Sequence, residues 1–596
     1  MREKLRAGMP FFGFLLCPAI TLILTECYTH NPFKDMTLFP WLLNLVLYWI
    51  LTACLFFITG RLRLSLRILT VLFMVAGLAN YYVIAFRDSP ILPWDIYSVG
   101  TAASVADNFS YALPGKIWLV LSGFVVLLVV EQCFPYRAER MGTRAVGIFA
   151  MLAALWGFGT FLQQEDAIQA MKLYDKMFTP GAVQRRNGLA AAFTMELKYL
   201  KPDKPEGYEK EECRLILEAY EGRIDEQEAD KVLTEPEVMQ PHIIVIMNEA
   251  FSDMSYIGEL ETNQEYMPFF NSLIGAEDTV SGRLHVSVLG GNTANTEFEF
   301  LTGNTMAFMP PGSIPYQQYL QGEVPSLAGE LKQRGYATVA MHPYYATGWS
   351  RNKVYPWMGF EQMRFIEDYE DAQYIRKYVS DASDFERLIE EYENQEREKP
   401  LFLFNVTMQN HGGYGGEFDN FIPDIEAEGI ASSALSNYLS LIAKSDEALS
   451  ELIAYFEQES EPVLLVFFGD HQPNDTVAAP IWRKEGVDYK NLTHVQESQR
   501  YEVPFVIWAN YDIEEKTEVE TSANFLAVEV LRQAGMERKG YYGYLEELQK
   551  QYPVISSKQI LTKEGELFSE EEMDESEELQ AYQKLQYYRL FETENR

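Results

Sequence analysis

The chain of 596 residues is too long for one compact domain. Its formal net charge of −37 disfavours nucleic acid as a partner, because a phosphate backbone binds basic surfaces. Residues 1–162 hold 12 Lys and Arg against 8 Asp and Glu, so the whole acidic excess follows residue 162 and the two parts face different surroundings.

The five cysteines limit the kinds of scaffold that the chain can build. Four of them fall in or beside apolar segments, namely Cys17, Cys27, Cys54 and Cys133. Only Cys213 lies in the acidic part. That part therefore contains neither an internal disulfide nor a cysteine-rich zinc module.

Five long apolar stretches predict an N-terminal transmembrane domain of five helices over residues 1–162. They cover residues 10–27, 39–59, 68–86, 117–134 and 145–162. Each approaches or exceeds the roughly 18–20 residues that cross a bilayer. Nine basic residues mark the N-terminus and two alternate loops, which predicts a cytoplasmic N-terminus. Because the number of spans is odd, everything after residue 162 is then predicted to lie on the outer side of the membrane.

Residues 163–239 are predicted to connect the membrane part to the domain that follows. Helical periodicity in residues 163–200 indicates an amphipathic arm on the outer membrane surface. A Pro-rich stop at 201–207 and a charged, helix-forming stretch at 208–235 complete this connector.

Residues 240–548 alternate strands with helical patterns, which predicts an α/β domain with a mainly parallel sheet. Four apolar strands each lead to a carboxylate or an imidazole. They run from His242 to Asn248-Glu249, from Ala337 to His342, from Leu401 to Asn410-His411, and from Val463 to Asp470-His471. Because the carboxyl ends of parallel strands meet at one edge of a sheet, we expect these side chains to converge there.

The pair Asp470-His471 combines a hard oxygen ligand with a borderline nitrogen ligand, which suits Zn²⁺ or Mn²⁺. Taken alone, the pair fits a solvated turn equally well, and the recurrence of the pattern favours a metal site. Further strands are expected at 283–289 and 504–508, and helices near 324–335, 383–395 and 432–458.

The glycine-rich segment GGNTANTEFEF at residues 290–300 precedes a helix that is predicted to begin near Ala294. Thr293 then lies at the helix N-terminus, where backbone N–H groups and the helix dipole favour a phosphate. A hydroxyl that also binds a metal there becomes a nucleophile, and otherwise Thr293 is only an N-cap. Glu297 and Glu299 are expected at the helix surface or behind the site.

Five short motifs occur along the chain in a fixed order. They are Asn248-Glu249, Gly290-Gly-Asn-Thr293, His342 with Trp349-Ser-Arg351, Asn405-Val-Thr-Met-Gln-Asn-His411 and Gly469-Asp-His471. As a set they resemble the lipoteichoic acid synthase family, which are membrane-anchored phosphoglycerol transferases of the alkaline phosphatase/sulfatase superfamily. Five spans before an extracellular sulfatase-like domain match this family as well. The resemblance implies a multi-pass protein of the bacterial cell membrane.

The resemblance also implies the chemistry of the site. One divalent ion is expected, usually Mn²⁺, with Mg²⁺ or Zn²⁺ as alternatives. The implied metal ligands are Glu249, Thr293, Asp470 and His471. The implied phosphoglycerol-binding residues are His342, Trp349, Arg351 and His411. Thr293 would attack phosphatidylglycerol and release diacylglycerol, and His411 or His342 would protonate the leaving oxygen. The acceptor would be a cell-envelope glycan, a glycolipid or a polyglycerolphosphate.

The chain departs from the family pattern around the nucleophile. The family typically has a Lys before the Thr and Ser-Asp after it, whereas Asn292 precedes Thr293 and Ala294-Asn295 follow it. The acceptor and the polymer product therefore stay open. Alternatives are a related phosphoethanolamine transferase, a sulfatase or phosphatase, or a non-catalytic membrane-anchored binding protein. The chain lacks the Cys/Ser-x-Pro-x-Arg motif that a sulfatase needs. A non-catalytic binding protein would be expected to have lost one or more metal ligands.

The remaining features are expected to be structural. His242, His285 and His494 match no motif and are assigned to the scaffold. Residues 549–596, with an acidic run at 569–578, are predicted to be a solvated, partly disordered tail.

Overall fold

The chain forms two compact units, which a computed structural model describes. The described residues are 2–87, 90–98, 113–137, 141–174, 180–200, 202, 204–221, 240–310, 312–395, 399–489, 492–568 and 576–593. The N-terminal unit comprises residues 1–97, 110–202 and 310–313, and the C-terminal unit comprises residues 98–109, 203–309 and 314–596. Residues 222–239 of the expected connector and most of the expected acidic run lie outside the described residues.

Five helices of the N-terminal unit are long and apolar enough to cross a membrane, as the sequence predicted. They are Arg2–Glu26, Leu38–Thr59, Leu62–Arg87, Gly115–Val130 and Met141–Leu162. Large apolar side chains such as Phe149 and Trp156 are about three-quarters exposed, at 76% and 75%, and a bilayer would cover them. The third helix begins before the expected residue 68, because Arg63 and Arg67 belong to its first turns.

The expected connector is divided between the two units. The helices Glu165–Ala170, Pro180–Asn187 and Leu189–Glu196 belong to the N-terminal unit. Asn44 anchors them, since its amide donates to the Asn187 carbonyl and accepts from the Ala191 N–H at 3.0 Å. The small side chains of Ala191 and Ala192 allow the helix to pack closely and be buried. The described helices between residues 180 and 200 are therefore part of a helical bundle, and they are not an amphipathic arm with one free face.

The C-terminal unit contains twelve described strands. They are β1 (His242–Asn248), β2 (Thr279–His285), β3 (Ala337–Met341), β4 (Gln362–Arg364), β5 (Tyr374–Ile375), β6 (Tyr378–Val379), β7 (Leu401–Val406), β8 (Val463–Gly469), β9 (Glu502–Ala509), β10 (Lys516–Ser522), β11 (Val554–Ile555) and β12 (Ile560–Leu561). Eight of them form one sheet in the order β10-β2-β9-β8-β1-β7-β3-β4. Only β9 pairs antiparallel within this described sheet, which confirms the mainly parallel α/β fold.

Helices cover the sheet, and its central strands β9, β8, β1 and β7 are buried on both faces. The described helices of six or more residues are Lys210–Glu221, Pro268–Leu273, Thr293–Thr302, Leu327–Gln333, Arg351–Trp357, Asp381–Asn394, Ser433–Phe456, Asp475–Lys484, His494–Gln499, Ala523–Gln533, Gly540–Gln551 and Glu577–Phe591. Residues of β1 alternate between two apolar cores, with Ile243 and Val245 in one and Ile244 and Ile246 in the other. This two-sided burial explains why the strands are continuously apolar.

The register of the parallel strands aligns their carboxyl ends. Asn248 pairs with Gly469, and Met247 pairs with Val406. The next residue of each strand therefore emerges at the same edge of the sheet.

Two strands differ from the prediction. The strand expected at 283–289 lies at Thr279–His285, because its antiparallel partner β9 begins only at Glu502, which is opposite His285. Residues 286–292 instead lead to the helix that begins at Thr293. The sequence analysis missed β10 because it is a charged edge strand, KTEVETS, in which only Thr521 and Ser522 are fully buried.

The described part of the expected tail, residues 549–568 and 576–593, does not form a solvated tail. The hairpin of β11 and β12 is followed by the helix Glu577–Phe591, which packs into an apolar core through Leu579, Tyr582 and Leu585. The Tyr582 hydroxyl donates to the Gly303 carbonyl at 2.7 Å. An apolar stripe at helical spacing follows the acidic run. The charge of the run led to the prediction that the whole segment is solvated.

Truncating this stripe tests whether the C-terminal helix belongs to the folded unit. Leu585→Ala should lower the free energy of unfolding by about 2–5 kcal/mol, because it leaves a cavity in the core. The half-buried neighbour Gln583 provides the control, and Gln583→Ala should change it by less than about 0.5 kcal/mol. Urea denaturation of the full chain in detergent measures both values. Equal midpoints for the two variants would show that the helix is dispensable.

Candidate active site

β1 and β8 deliver three potential ligands to one buried cluster at the carboxyl edge of the sheet. Ligand atoms of Glu249, Asp470 and His471 all lie within 4.8 Å of one another. His471 Nε2 is 3.2 Å from Asp470 Oδ2 and 3.6 Å from Glu249 Oε1. The Thr293 hydroxyl donates to Glu249 Oε2 at 3.3 Å. The structure thus brings together the four residues that the sequence suggested as metal ligands.

Backbone contacts fix the orientation of each ligand. Asp470 Oδ1 accepts a hydrogen bond from the Ala250 N–H at 2.7 Å, which leaves Oδ2 facing the cluster. His471 Nδ1 lies 2.9 Å from the Gln472 carbonyl, which can only accept, so Nδ1 carries the proton. The lone pair on Nε2 is then directed at the two carboxylates. This tautomer is the one that a metal ligand requires.

The donor atoms of this cluster fit a divalent cation. Asp470 Oδ2 and His471 Nε2 are buried and have no hydrogen-bond partner among the described residues. Burial raises the pKa of Glu249 well above its usual range, and the nearby Asp470 carboxylate raises it further. A cation bound among these atoms would take Asp470 Oδ2 and His471 Nε2 as ligands and would favour the ionised form of Glu249. Two carboxylates, one imidazole and one hydroxyl suit Mn²⁺ or Zn²⁺ as ligands.

Thr293 is the first residue of the ten-residue helix Thr293–Thr302. The N-cap is Asn292, whose φ of 65° is left-handed, so Thr293 is not the N-cap. Gly291 has a φ of 148°, a backbone conformation that residues with a side chain rarely adopt. Glycine at this position therefore allows the loop to approach the cluster. The Thr293 hydroxyl therefore sits where the helix dipole and free N–H groups stabilise negative charge.

Arg351 and His342 lie together beside the helix that begins at Thr293. Arg351 Nη1 donates to His342 Nε2 at 3.0 Å, while His342 Nδ1 donates to the Val406 carbonyl at 2.8 Å. Arg351 Nε also donates to Glu297 at 3.1 Å, forming a buried ion pair. Glu297 is thus a buried support for Arg351 and is not at the helix surface. Glu299 is buried as well, and it accepts from the Ser287 hydroxyl at 2.8 Å.

Trp349 lies on a strained turn just before Arg351. Trp349 and Ser350 have consecutive positive φ values of 51° and 60°, which non-glycine residues rarely adopt. Such strain is held in place by the surrounding structure and is concentrated at functional sites. Trp349 is partly buried and packs against an apolar core.

His411 lies on the loop after β7 and is held from two sides. Its Nδ1 is 3.0 Å from the Tyr378 hydroxyl, and its backbone carbonyl accepts from Arg376 Nη2 at 2.8 Å. Burial lowers the pKa of His411 to about 4, and the positive charge of Arg376 contributes to this shift. A neutral imidazole accepts protons, so His411 fits a base better than an acid until an anionic phosphate raises its pKa.

The sequence analysis missed Arg376. This guanidinium is only 7% exposed, and it also donates to the Gln409 carbonyl at 2.7 Å. The rings of Tyr378, Tyr414 and Phe418 surround it at 5.5–5.6 Å. Neither a strand end nor a glycine motif marks this residue, so only the fold reveals it.

A buried polar network behind the cluster was also missed. Asn248 donates to Asp381 at 2.8 Å and accepts from Asn410 at 2.9 Å, which joins the end of β1 to the loop that carries His411. The Thr407 hydroxyl accepts from the Glu249 N–H at 3.1 Å. The network positions both the ligand Glu249 and His411, although none of its own side chains belongs to the cluster.

The three other histidines of the C-terminal unit lie outside the cluster. His242 Nε2 lies 2.8 Å from Glu461, and His285 Nε2 lies 2.9 Å from Glu520. His494 is the first residue of the helix His494–Gln499. These positions agree with the scaffold roles that the sequence suggested.

Comparison with known proteins places this site in a family. The Sulfatase family model matches residues 241–536. A Rhizobium meliloti (strain 1021) protein named for cyclic beta-1,2-glucan modification is 30% identical over 462 residues, which cover 76% of this chain and 69% of the relative. The chain belongs to the sulfatase family. Within the alkaline phosphatase/sulfatase superfamily, it is a lipoteichoic acid synthase-like member.

Other relatives of this sulfatase-family chain are more distant. Lipoteichoic acid synthase 1 of Bacillus subtilis (strain 168) is 22% identical over 276 residues, covering 45% of this chain and 41% of the relative. This chain thus matches less than half of that relative's length. Two solved structures share its fold. They are the Streptococcus pyogenes phosphoglycerol transferase GacH with sn-glycerol-1-phosphate (TM-score 0.51, 19% identity, 65% of this chain and 94% of that one) and a Neisseria meningitidis lipooligosaccharide phosphoethanolamine transferase (0.50, 13%, 88% and 95%).

Substituting the buried ligands tests whether the sulfatase-family cluster binds a metal. Asp470→Asn and Glu249→Gln should each weaken Mn²⁺ binding at least about tenfold, because even changes behind a ligand set cost that much. The exposed residue Glu265 is a matched control, and Glu265→Gln should bind as the unaltered protein does. Isothermal titration calorimetry with Mn²⁺ measures the Kd. An unchanged Kd in both ligand variants would exclude this cluster as the metal site.

Proposed function

We propose that the protein is a phosphoglycerol transferase. It would move glycerol phosphate from phosphatidylglycerol to a cell-envelope glycan or a polyglycerolphosphate acceptor and release diacylglycerol. The observation that carries this proposal is the Thr293 hydroxyl, placed 3.3 Å from Glu249 at a helix N-terminus and beside a buried metal-type cluster. The relatives named as lipoteichoic acid synthases and the fold shared with a phosphoglycerol transferase support it.

The residues around Thr293 suit a double displacement. In the first step Thr293 Oγ attacks phosphorus, and the bond to the diacylglycerol oxygen breaks. That oxygen takes up the proton that the Thr293 hydroxyl gives up, and glycerol phosphate stays on Thr293. In the second step an acceptor hydroxyl attacks the same phosphorus, and the bond to Thr293 Oγ breaks. The acceptor proton passes through His411 to Thr293 Oγ, which restores the threonine.

Each neighbouring group has a separate task in this scheme. A bound divalent ion, held by Glu249, Thr293, Asp470 and His471, would lower the pKa of the threonine hydroxyl and offset negative charge. Arg351 would hold phosphate oxygens, and Glu297 fixes the position of its guanidinium. His342 supports Arg351, and Trp349 would contact the glycerol moiety. A neutral His411 takes the proton of the attacking acceptor hydroxyl.

The alternatives receive less support from this chain. The protein lacks the Cys/Ser-x-Pro-x-Arg motif that a formylglycine sulfatase requires, because Thr293-Ala-Asn-Thr occupies that position. Disulfide-rich soluble domains are usual among phosphoethanolamine transferases, whereas Cys213 is free and is the one cysteine after residue 162. A non-catalytic binding protein has no need for the complete set of ligands found here.

The proposed donor requires the C-terminal unit to face the outer leaflet of a bacterial cell membrane. Five spans with basic cytoplasmic ends support this orientation. Alkaline phosphatase folds only outside the cytoplasm, so its fusion after residue 240 should be active, and its fusion after Arg63 should be inactive. Activity of the Arg63 fusion alone would reverse the orientation.

The covalent step can be tested directly with phosphatidylglycerol labelled in its headgroup. Thr293→Ala should lower diacylglycerol release by roughly 10³-fold or more and remove the label from the protein, because no hydroxyl remains to attack. Thr293→Ser keeps a hydroxyl and should retain labelling. Mass spectrometry should find glycerol phosphate on residue 293 when no acceptor is present. Undiminished diacylglycerol release by folded Thr293→Ala protein would refute the mechanism.

A further inference from the structure

A row of aromatic rings leads outward from the catalytic cluster. The ring of Tyr378 lies 5.3 Å from His411, and the ring of Tyr344 lies 6.2 Å from both Tyr378 and His342. Tyr345 follows at 4.8 Å from Tyr344. We call Tyr378, Tyr344 and Tyr345 the aromatic row. Ring contacts connect it without a break from His411 at its inner end to Tyr345 at its outer end.

Exposure rises along the aromatic row from the site toward solvent. Tyr378 is buried, Tyr344 is half-buried, and Tyr345 is 46% exposed. Tyrosine offers a large, rigid, amphipathic face at a low cost in conformational entropy. Such a face suits the apolar C–H face of a sugar ring, while the hydroxyl groups beside it can bond to sugar hydroxyls.

Two acidic segments flank the aromatic row. One follows β4 and is tied to the row, because the Ile366 N–H donates to the Tyr344 carbonyl at 3.1 Å. The other surrounds Phe418, whose ring lies 5.6 Å from the Arg376 guanidinium. Together they expose six carboxylates, namely Glu367, Asp368, Glu370, Asp371, Glu417 and Asp419. Against these six charges the same region offers three positive ones, namely the buried Arg376, the exposed Lys377, and Arg387, which interacts with Asp368.

This charge distribution separates the two classes of acceptor. A polyglycerolphosphate chain carries one negative charge per unit, and each unit beyond the first would lie near the six carboxylates. Like charges brought together in this way oppose binding, whereas a neutral sugar meets no such opposition. The single phosphate of the donor is different, because it lies inside the site beside Arg351.

We propose that the aromatic row is the acceptor subsite and that the acceptor is a neutral saccharide. This assignment rests on the proposed function and narrows it. The saccharide stacks on Tyr345 and Tyr344 and presents one hydroxyl to the phosphorus on Thr293. His411, at the inner end of the row, is then close to the attacking hydroxyl.

The test uses the full chain in detergent with headgroup-labelled phosphatidylglycerol and two acceptors. One acceptor is a neutral glucose oligosaccharide, and the other is a short glycerol phosphate oligomer. Diacylglycerol release and label on the acceptor are measured separately at low and high salt. Label should pass to the saccharide with a KM that salt does not change. The oligomer should be a poor acceptor at low salt and improve as salt screens the carboxylates.

Variants locate the subsite on the aromatic row. Tyr345→Ala should raise the KM for the saccharide about tenfold with kcat retained, because one stacking face is lost. Tyr345→Phe should restore most of that loss. Ile274→Ala is the control, since Ile274 is 51% exposed and precedes β2 at the opposite edge of the sheet. The double variant Glu370→Gln/Asp371→Asn should improve only the glycerol phosphate oligomer.

The outcomes distinguish this assignment from the proposed function. A preference for the glycerol phosphate oligomer at low salt would overturn the neutral-saccharide assignment, and so would an unchanged KM in Tyr345→Ala. Diacylglycerol release with label on Thr293 would leave phosphoglycerol transfer standing in either case. A complete lack of diacylglycerol release would overturn the proposed function, and this assignment with it.

Discussion

Two carboxylates and an imidazole are buried together where the strands β1 and β8 end, and this arrangement constrains the rest of the site. Burial and the neighbouring Asp470 carboxylate raise the pKa of Glu249 well above its usual range, so a nearby positive charge is needed to favour the ionised form of Glu249. A bound cation provides that charge, and Thr293 lies close enough to share it. The surrounding contacts, from Thr407 to Gln472, hold these ligands in one orientation. The fold therefore creates a site that favours a cation and activates a hydroxyl.

The sequence predicted the centre of this site because strand ends obey a simple rule. Apolar strands of period two are easy to recognise, and the residue after each parallel strand must emerge at the same edge. Contacts between distant segments were not predictable in this way. Arg376 lies in the turn between β5 and β6, each of two residues, and reaches the carbonyls of Gln409 and His411. The sequence left Glu297 either at the helix surface or behind the site. Its pairing with Arg351, on a later helix, places it behind the site.

Predictions from composition were wrong for two segments that contain both charged and buried residues. β10 reads as a polar stretch because an edge strand exposes most of its side chains. The helix Glu577–Phe591 reads as part of an acidic tail, yet Leu579, Tyr582 and Leu585 form one buried stripe. The acidic surface has a second consequence around the aromatic row, since the same carboxylates that keep the unit soluble also select against a polyanionic acceptor. Donor and acceptor would thus be recognised by opposite electrostatic environments.

The central claim is that one divalent cation binds at the meeting point of β1, β8 and the helix that begins at Thr293. Crystals of the protein grown with Mn²⁺ and measured at the manganese absorption edge test it most directly. The account predicts a single strong anomalous peak within bonding distance of Glu249, Thr293, Asp470 and His471. An anomalous peak elsewhere in the C-terminal unit, with these four residues bound to no metal, would contradict it.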